Sequence, residues 1–522
     1  MKMKLSYIVI PVFIGILFYS CKEDFLEISN PNAVTDTKFY KNREEAIQAV
    51  NAVYSVLQKE GIYNWQLRVA NDLRSDEYGG TLKIVGAKDQ YEIETFTATA
   101  QNAQLAQHWN DLFTGVFRAN QAIEKIPLIQ DANDPLWTGE LKSRLVGEAK
   151  FLRALYYFNL VLLFGDVPLI SKLPQSAEEF NVARSPVNEV YEGIIIPDLL
   201  EAVQTLPSVT AYRGSTELGR ASKGAAQALL GKVYLFRGQY NEAKAQFKAV
   251  VESGDYELVA SFRDNHDDSN ENNKESLFEI QFITGGDGWS ASVEQRGSEG
   301  CLFPIWGGHP SNGDFYNWMP TIKLVSEFEP EDTMRKNATA FYPGGPRWDP
   351  AGKNEPWELL DAAGNRVRPE GTFAMRKFIQ SGRDVTNAQS GINYRLIRYA
   401  DVLLMYAEAL NETDGPAAAL PFINLVRRRA KVPDYPTAAF PASSSADVFN
   451  IIMHERIVEL GGESHRWNDL CRWDNLGKID MTPIIKNPTH PDPRGAFDKN
   501  KHKLLPIPQG ELDVNPLLTQ NP

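Results

Sequence analysis

The sequence predicts a mostly helical protein in which helical pairs support a loop-rich ligand-binding region. Amphipathic stretches with apolar residues at helical spacing recur through the first 260 residues. By contrast, residues 261–390 are rich in Gly, Pro, Asn and Asp. A hydrophobic content of 43% and an aromatic content of 11% are typical of a folded globular chain. We therefore expect a predominantly all-α fold with tetratricopeptide-like helical pairs and one irregular region.

The N-terminal segment has the pattern of an exported protein. Lys2 and Lys4 precede an apolar run that is shorter than the roughly 20 residues a membrane-spanning helix needs. Cys21 follows this run directly after a small residue, which resembles the lipobox of bacterial lipoproteins. We expect residues 1–20 to be a removed signal peptide, Cys21 to carry a lipid and residues 21–40 to be the lipidated leader. A cleaved signal with an incidental cysteine is the alternative.

Charge and cysteine content narrow the possible functions. The formal net charge is −13 and no basic patch is present, which argues against nucleic acid and against docking on anionic lipid. Besides Cys21 the chain contains only Cys301 and Cys471, without the spacing of a metal site or a disulfide framework. We expect these two residues to be free, mostly buried thiols.

Helical periodicity organises residues 41–260 into a N-terminal helical region. Amphipathic helices are predicted at about 44–58, 104–125, 141–164 and 187–205. The clearest repeat covers 221–252, where Leu230-Gly231, Tyr234, Gly238, Ala243 and Phe247 match the tetratricopeptide spacing. A weaker echo at 396–430 has its turn at Asp414-Gly415-Pro416. One good repeat and a degenerate one predict a helical scaffold rather than a long regular solenoid.

The loop-rich segment 261–390, within a C-terminal region 261–522, is the predicted binding segment. Long Gly/Pro-rich connections in a compact protein are uncommon unless they are functional. Aromatic rings stack on the apolar faces of sugars, and amide, carboxylate and guanidinium groups bond the hydroxyls. The candidate ligand-binding residues are Trp289, Trp306, Phe315, Tyr316 and Trp318, with Arg296, Asn312 and Asp314 as hydrogen-bonding groups. Tyr78 and Tyr91, in an earlier loop-like stretch, are weaker candidates.

The motifs of catalysis and metal binding are missing from the sequence. There is no Gly-x-Ser-x-Gly, phosphate loop or dinucleotide fingerprint, and no carboxylate pair stands out among the 67 acidic residues. His454-Glu455 begins like a zinc-protease helix, but Val458 stands where the second histidine would be. Asp264 to Glu271 could offer oxygens to calcium but lacks the glycine of an EF-hand loop. We expect no enzyme, no metal and no cofactor, with calcium as a minor alternative to a solvated loop.

Several motifs in this order resemble the SusD/RagB family of outer-membrane lipoproteins. The resemblance runs from Cys21 to the C-terminus and includes the following: Asn30-Pro31, Ser75-Asp76-Glu77, Arg118-Ala119-Asn120, Phe164-Gly165-Asp166-Val167-Pro168, Arg398-Tyr399-Ala400-Asp401, Arg466-Trp467 and Leu505-Pro506-Ile507-Pro508. Most of these motifs are expected to be structural. Because the ligand-contacting residues vary within the family, the resemblance does not indicate which aromatic residues bind.

The resemblance implies a non-catalytic glycan-binding lipoprotein of the outer membrane, exposed at the cell surface. Such proteins cap a SusC-like, TonB-dependent β-barrel transporter and pass oligosaccharides to it. Lys22-Glu23-Asp24 resembles the signal that sends these lipoproteins to the outer face. Two alternatives remain open: the same role with peptide cargo, as in the RagB branch, or a helical-repeat scaffold that binds only proteins. The indoles of Trp289, Trp306 and Trp318 favour glycan.

Overall fold

A computed structural model describes residues 39–79, 88–131, 133–176, 178–284, 300–307, 318–342, 345, 373–379 and 390–522. Helices dominate this part of the chain. In chain order, helices α1 to α19 are Arg43–Tyr54, Gln66–Arg74, Lys88–Glu94, Ala103–Lys125, Gly139–Phe164, Val187–Val190, Ile196–Thr205, Lys223–Phe236, Tyr240–Glu252, Phe303–Gly307, Ile322–Glu327, Thr333–Thr339, Tyr399–Thr413, Pro416–Ala430, Ser445–Leu460, Arg466–Asn475, Thr482–Ile485, Lys499–His502 and Gln509–Val514. None of the helices in these ranges is long and apolar enough to cross a membrane.

The strands are short and pair in antiparallel twos. Strands β1 to β8 are Tyr78–Gly79, Val167–Pro168, Arg184–Ser185, Ser276–Ile280, Met319–Pro320, Ala340–Phe341, Ala374–Met375 and Tyr394–Arg398. The pairs are β1 with β5, β2 with β3, β4 with β8 and β6 with β7. Except for β2 and β3, each pair joins segments that are far apart in sequence. The strands therefore connect different helical regions. The all-α prediction is confirmed.

The predicted helices form close to their expected bounds. Those expected at 104–125 and 141–164 are α4 and α5, and their first turns are capped by the side chains of Asn102 and Thr138. The helix expected at 187–205 is interrupted by a π-helical turn, Tyr191–Ile195. The helix expected at 44–58 ends as a 3₁₀ turn, Ser55–Gln58.

The predicted tetratricopeptide pair at 221–252 is confirmed as α8 and α9. A Cβ on Gly231 would lie 2.6 Å from Cε1 of Phe247, so only glycine lets the two helices approach this closely. Gly238 reverses the chain with φ of +71°, a conformation that disfavours other residues. The echo at 396–430 folds as the pair α13 and α14, with Gly415 in the turn.

A network of buried ion pairs joins the sheet β4–β8 to the helices. The guanidinium of Arg398 contacts Glu275 at 2.9 Å and Glu463 at 2.7 Å, and it also pairs with Glu459. All these side chains are at most 1% exposed. Because buried charges are tolerated only when paired and hydrogen-bonded, this network requires β8 and the end of α15 to keep their positions.

Candidate ligand-binding face

Strand pairs bring together the chain ends that flank the undescribed segments of the loop-rich region. Tyr78 pairs with Pro320 and Gly79 with Met319, which places the residue before segment 80–87 next to the residues after segment 308–317. Ala340 pairs with Met375 and Phe341 with Ala374. Residues on either side of 346–372 are therefore neighbours.

A pair of backbone hydrogen bonds also brings together residues that follow two further undescribed segments. Cys301 and Ser390 exchange two hydrogen bonds, of 2.7 and 3.2 Å, immediately after segments 285–299 and 380–389. A Cβ on Gly307 would collide with the side chains of Trp318 and Met375, so described residues that flank 308–317 lie beside one that follows 346–372. We call the patch formed by Tyr78, Gly79, Cys301, Phe303, Gly307, Trp318, Met375, Phe378 and Ser390 the loop base.

The structure changes the interpretation of Trp318 and Tyr78, two of the candidate ligand-binding residues. Both are 0% exposed. Their rings stack on each other at 4.2 Å with an interplanar angle of 14°, and Phe303 packs edge-on against Trp318 at 4.4 Å. The expectation that these rings offer a face to ligand is therefore wrong, because neighbouring aromatic rings already cover them. They form the floor of the loop base.

The other candidates are placed as follows. Tyr91 is half-buried on helix α3, so the loop-like interpretation of its surroundings is also wrong. Trp306 lies on the short helix α10. Outside the described residues lie Trp289, Arg296, Asn312, Asp314, Phe315 and Tyr316, as well as Cys21. Cys301 is buried and Cys471 half-buried, and no disulfide joins them, as expected.

Residues near the C-terminus clamp the floor of the loop base. The guanidinium of Arg494 donates hydrogen bonds to the backbone oxygens of Arg74, Ser75 and Tyr78. Arg466 holds Asp76 through two hydrogen bonds of 2.8 and 3.0 Å. The Asp76 and Arg466 motifs are therefore structural, as expected, and they fix the turn from α2 into β1.

His490 completes this clamp and uses both ring nitrogens to do so. Its Nε2 lies 3.1 Å from the oxygen of Tyr78, and its Nδ1 accepts from the backbone of Asp492 at 3.2 Å. Burial lowers the pKa of His490 to about 3, so the ring is neutral. Glu94, His490 and Asp492 lie close enough to share a metal ion, but the histidine nitrogens are already used by the backbone. A Cβ on Gly79 would lie 2.5 Å from this ring, which explains the glycine.

The second group with metal-binding geometry is occupied by protein cations. Glu329, His454 and Glu455 lie together. Glu455 pairs with Arg335 at 2.9 Å and with Arg427 at 2.6 Å, and His454 bonds Glu327 at 3.0 Å. Two guanidinium groups beside the carboxylate would oppose a metal cation. The sequence feature His454-Glu455 therefore belongs to the buried ion-pair network.

A buried arginine below the loop base is a feature that sequence reasoning missed. The guanidinium of Arg68 lies 3.3 Å from the ring centroid of Phe303 and 3.9 Å from that of Tyr394. Its Nη1 is 3.9 Å from Sγ of Cys301. Burial raises the pKa of Asp72, one turn along α2, to about 8 despite the nearby Arg68. The sequence does show Arg68 and Asp72 four residues apart, which is the spacing of neighbours on one helix face. Only the fold shows that aromatic rings enclose the Arg68 cation.

The loop considered for calcium is bound by a protein cation. Nη2 of Arg395 lies 3.5, 3.4 and 3.0 Å from the backbone oxygens of Asp264, Asp267 and Asn270. Its Nε pairs with Glu279 at 3.2 Å. Backbone oxygens of the kind that calcium prefers are therefore hydrogen-bonded to a guanidinium.

The fold is a scaffold of helical pairs, and the loop base is the patch of this scaffold next to which the undescribed segments lie in sequence. A model described as "SusD family" matches residues 274–522, and one described as "Starch-binding associating with outer membrane" matches residues 24–235. SusD-like protein P2 of Formosa agariphila is 29% identical, over 100% of this chain and 99% of the relative. A SusD-like protein of Bacteroides ovatus is 27% identical, over 97% and 96%.

Solved structures of SusD-like proteins are also similar to this chain. A laminarin-binding SusD-like protein has a TM-score of 0.72 and 30% identity, and the alignment covers 92% of this chain and all of that one. Surface glycan-binding protein A from Bacteroides fluxus has a TM-score of 0.73 at 25% identity, with 92% and 99% coverage. The chain belongs to the SusD/RagB family.

Proposed function

We propose that this protein is a non-catalytic, lipid-anchored glycan-binding protein of the outer-membrane surface. It captures oligosaccharides and delivers them to a SusC-like, TonB-dependent β-barrel transporter. Membership of the SusD family supports glycan binding, as do relatives whose names state laminarin or surface-glycan binding. The description of the N-terminal family model supports association with the outer membrane.

The convergence at the loop base is the observation that carries the proposal. Segments separated by up to about 300 residues leave the described chain from one patch, over a floor of stacked aromatic rings. The undescribed segments next to the loop base in sequence contain Trp289, Phe315 and Tyr316, with Arg296, Asn312 and Asp314. Rings for stacking and polar groups for hydroxyls are the chemistry that a sugar ligand needs.

The expected affinity is modest. A few stacked rings and hydrogen bonds correspond to dissociation constants of about micromolar to millimolar, roughly −4 to −8 kcal/mol. Weak binding suits a protein that must release its ligand to a transporter. Peptide cargo is the competing proposal, and it would favour backbone hydrogen bonding over exposed indoles.

A binding screen tests the ligand class. The soluble body, residues 22–522, is titrated with polysaccharides and peptide pools while tryptophan fluorescence is followed. We expect a saturable response to one glycan class that Trp289→Ala weakens by about tenfold. A response to peptides alone would replace glycan by peptide as the cargo.

A separate experiment tests the transporter. The full-length lipoprotein is purified from outer membranes with mild detergent, and stable association with a β-barrel of the TonB-dependent class is expected. Recovery of the lipoprotein alone, from membranes that contain the barrel, would contradict the delivery role while leaving glycan binding intact.

A further inference from the structure

An exposed apolar tip lies in the connection between helices α4 and α5. It consists of two Pro-Leu pairs, Pro127-Leu128 and Pro135-Leu136, which we call the leucine tip. Leu128 is 69% exposed and Leu136 is 60% exposed. Single exposed leucines are common, but here two exposed Pro-Leu pairs occur within residues 127–136 of one connection.

Hydrogen bonds to the backbone oxygen of Ile129 hold the leucine tip in place. The indole Nε1 of Trp137 donates to the backbone oxygen of Ile129 at 3.3 Å, and Nζ of Lys142 donates to the same oxygen at 2.8 Å. Lys142 also lies 5.1 Å from the ring centroid of Trp137. Each leucine therefore directly precedes a residue of this hydrogen-bonded group: Leu128 precedes Ile129, and Leu136 precedes Trp137.

The leucine tip adjoins the place where the described chain begins. Nε of Arg43 donates to Asp134 at 2.6 Å, and the backbone nitrogen of Arg43 donates to Asp131 at 3.3 Å. Only 17 residues, 22–38, separate Cys21 from the first described residue, Phe39. The apolar tip thus lies close to the first described residues, and only a short stretch of chain joins these residues to the proposed lipid anchor.

We propose that the leucine tip inserts into the interfacial region of the lipid bilayer in which the N-terminus is anchored. The inference rests on the proposed lipidation of Cys21, because two leucines alone would bind a bilayer only transiently. Tethering by the acyl chains makes the second contact intramolecular, so a small apolar area suffices. The contact orients the body on the membrane and so restricts the orientation of the loop base relative to the bilayer.

The charges around the tip favour apolar insertion over attraction to anionic headgroups. The acidic residues Asp131, Asp134 and Glu140 are matched in number by the basic residues Lys125, Lys142 and Arg43, so these groups carry no net charge. Arg43 neutralises Asp134. The leucines and prolines are therefore the groups that gain by leaving water.

Site-specific fluorescence in a defined membrane tests the proposal. The full-length lipidated protein, with Cys471→Ser to remove the half-buried thiol, is placed in phosphatidylcholine nanodiscs without any other protein. An environment-sensitive fluorophore is attached to Leu128→Cys, Leu136→Cys or the control Leu425→Cys. Leu425 is 40% exposed on α14, which packs against α13 and α15. Doxyl-labelled lipid should quench the two tip positions by about twofold and leave the control unchanged.

A matched variant and mass spectrometry separate the possible failures. Adding Leu128→Asp should reduce quenching at position 136, because a charge near the hydrocarbon is unfavourable. Absence of quenching in protein whose mass shows acyl chains would overturn the membrane contact and leave the anchor standing. A change of signal only on addition of the barrel would make the tip a protein interface and overturn the proposal. Protein without acyl chains would refute the anchor and this contact together.

Discussion

Truncation of Trp318 tests whether this ring supports the loop base or contacts ligand. The side chain is 0% exposed and is stacked on Tyr78 at 4.2 Å and packed against Phe303 at 4.4 Å. Replacing a buried tryptophan by alanine costs about 3–5 kcal/mol through lost burial and the cavity left behind. The aromatic pairs add about 0.5–1.5 kcal/mol. We expect Trp318→Ala to lower the free energy of unfolding by about 4 kcal/mol.

Urea unfolding, followed by far-ultraviolet circular dichroism, measures this loss, and titration calorimetry measures glycan binding. Trp289→Ala is the matched control, because we propose that Trp289 contacts the ligand. It should change the free energy of unfolding by less than about 0.5 kcal/mol while weakening binding by about tenfold. Trp318→Phe should restore a large part of the stability, since it keeps an aromatic ring in the stack.

The opposite pattern would refute the reasoning. If the free energy of unfolding of Trp318→Ala is within about 1 kcal/mol of the wild-type value but glycan binding is lost, the ring contacts ligand and does not support the loop base. If both variants lose stability equally, Trp289 also belongs to the floor and the stacking residues lie elsewhere.

Four further predictions concern the scaffold and the anchor. Gly231→Ala should destabilise the protein by about 1–3 kcal/mol in urea unfolding, because its Cβ would lie 2.6 Å from Phe247; unchanged stability would contradict the close packing. Burial raises the pKa of Glu463, but Arg398 outweighs this and lowers it to about 2, so stability should fall as pH drops from about 4.5 to 2. Arg398→Met should cost about 3–5 kcal/mol at neutral pH, and a neutral effect would show that the network is dispensable. Cys21→Ala should move the protein from the membrane fraction to the soluble fraction; continued attachment would exclude the lipid anchor.

Local patterns in the sequence predicted the helices well because those patterns are themselves the cause of helix formation. The apolar spacing in α4 and α5 and the small residues at Gly231 and Gly238 act through neighbours a few residues away or through the adjacent helix. The π-helical turn at Tyr191–Ile195 was not predicted, although Gly193 lies within it and Pro197 follows it, because the apolar spacing of residues 187–205 continues across both residues.

The candidate site was predicted less well, for a physical reason. An aromatic residue in a polar, glycine-rich stretch has the same local pattern whether its ring meets solvent or another ring. Trp318 and Tyr78 are 240 residues apart, yet they stack on each other, so neither could be assigned to the floor from its own neighbourhood. The loop-like interpretation around Tyr91 failed similarly, because α3 is held by contacts with α2 and α4.

The sequence by itself determined the class of protein: a helical scaffold with one loop-rich region, a predicted lipid-bearing N-terminus and the family motifs. These are local signals, written in spacing and residue type. Tertiary structure alone decided which residues meet at the loop base, that Arg68 is enclosed by aromatic rings, and that Arg395 binds the loop considered for calcium. Such features depend on contacts between residues that are hundreds of positions apart, and no local pattern encodes burial created by a distant partner.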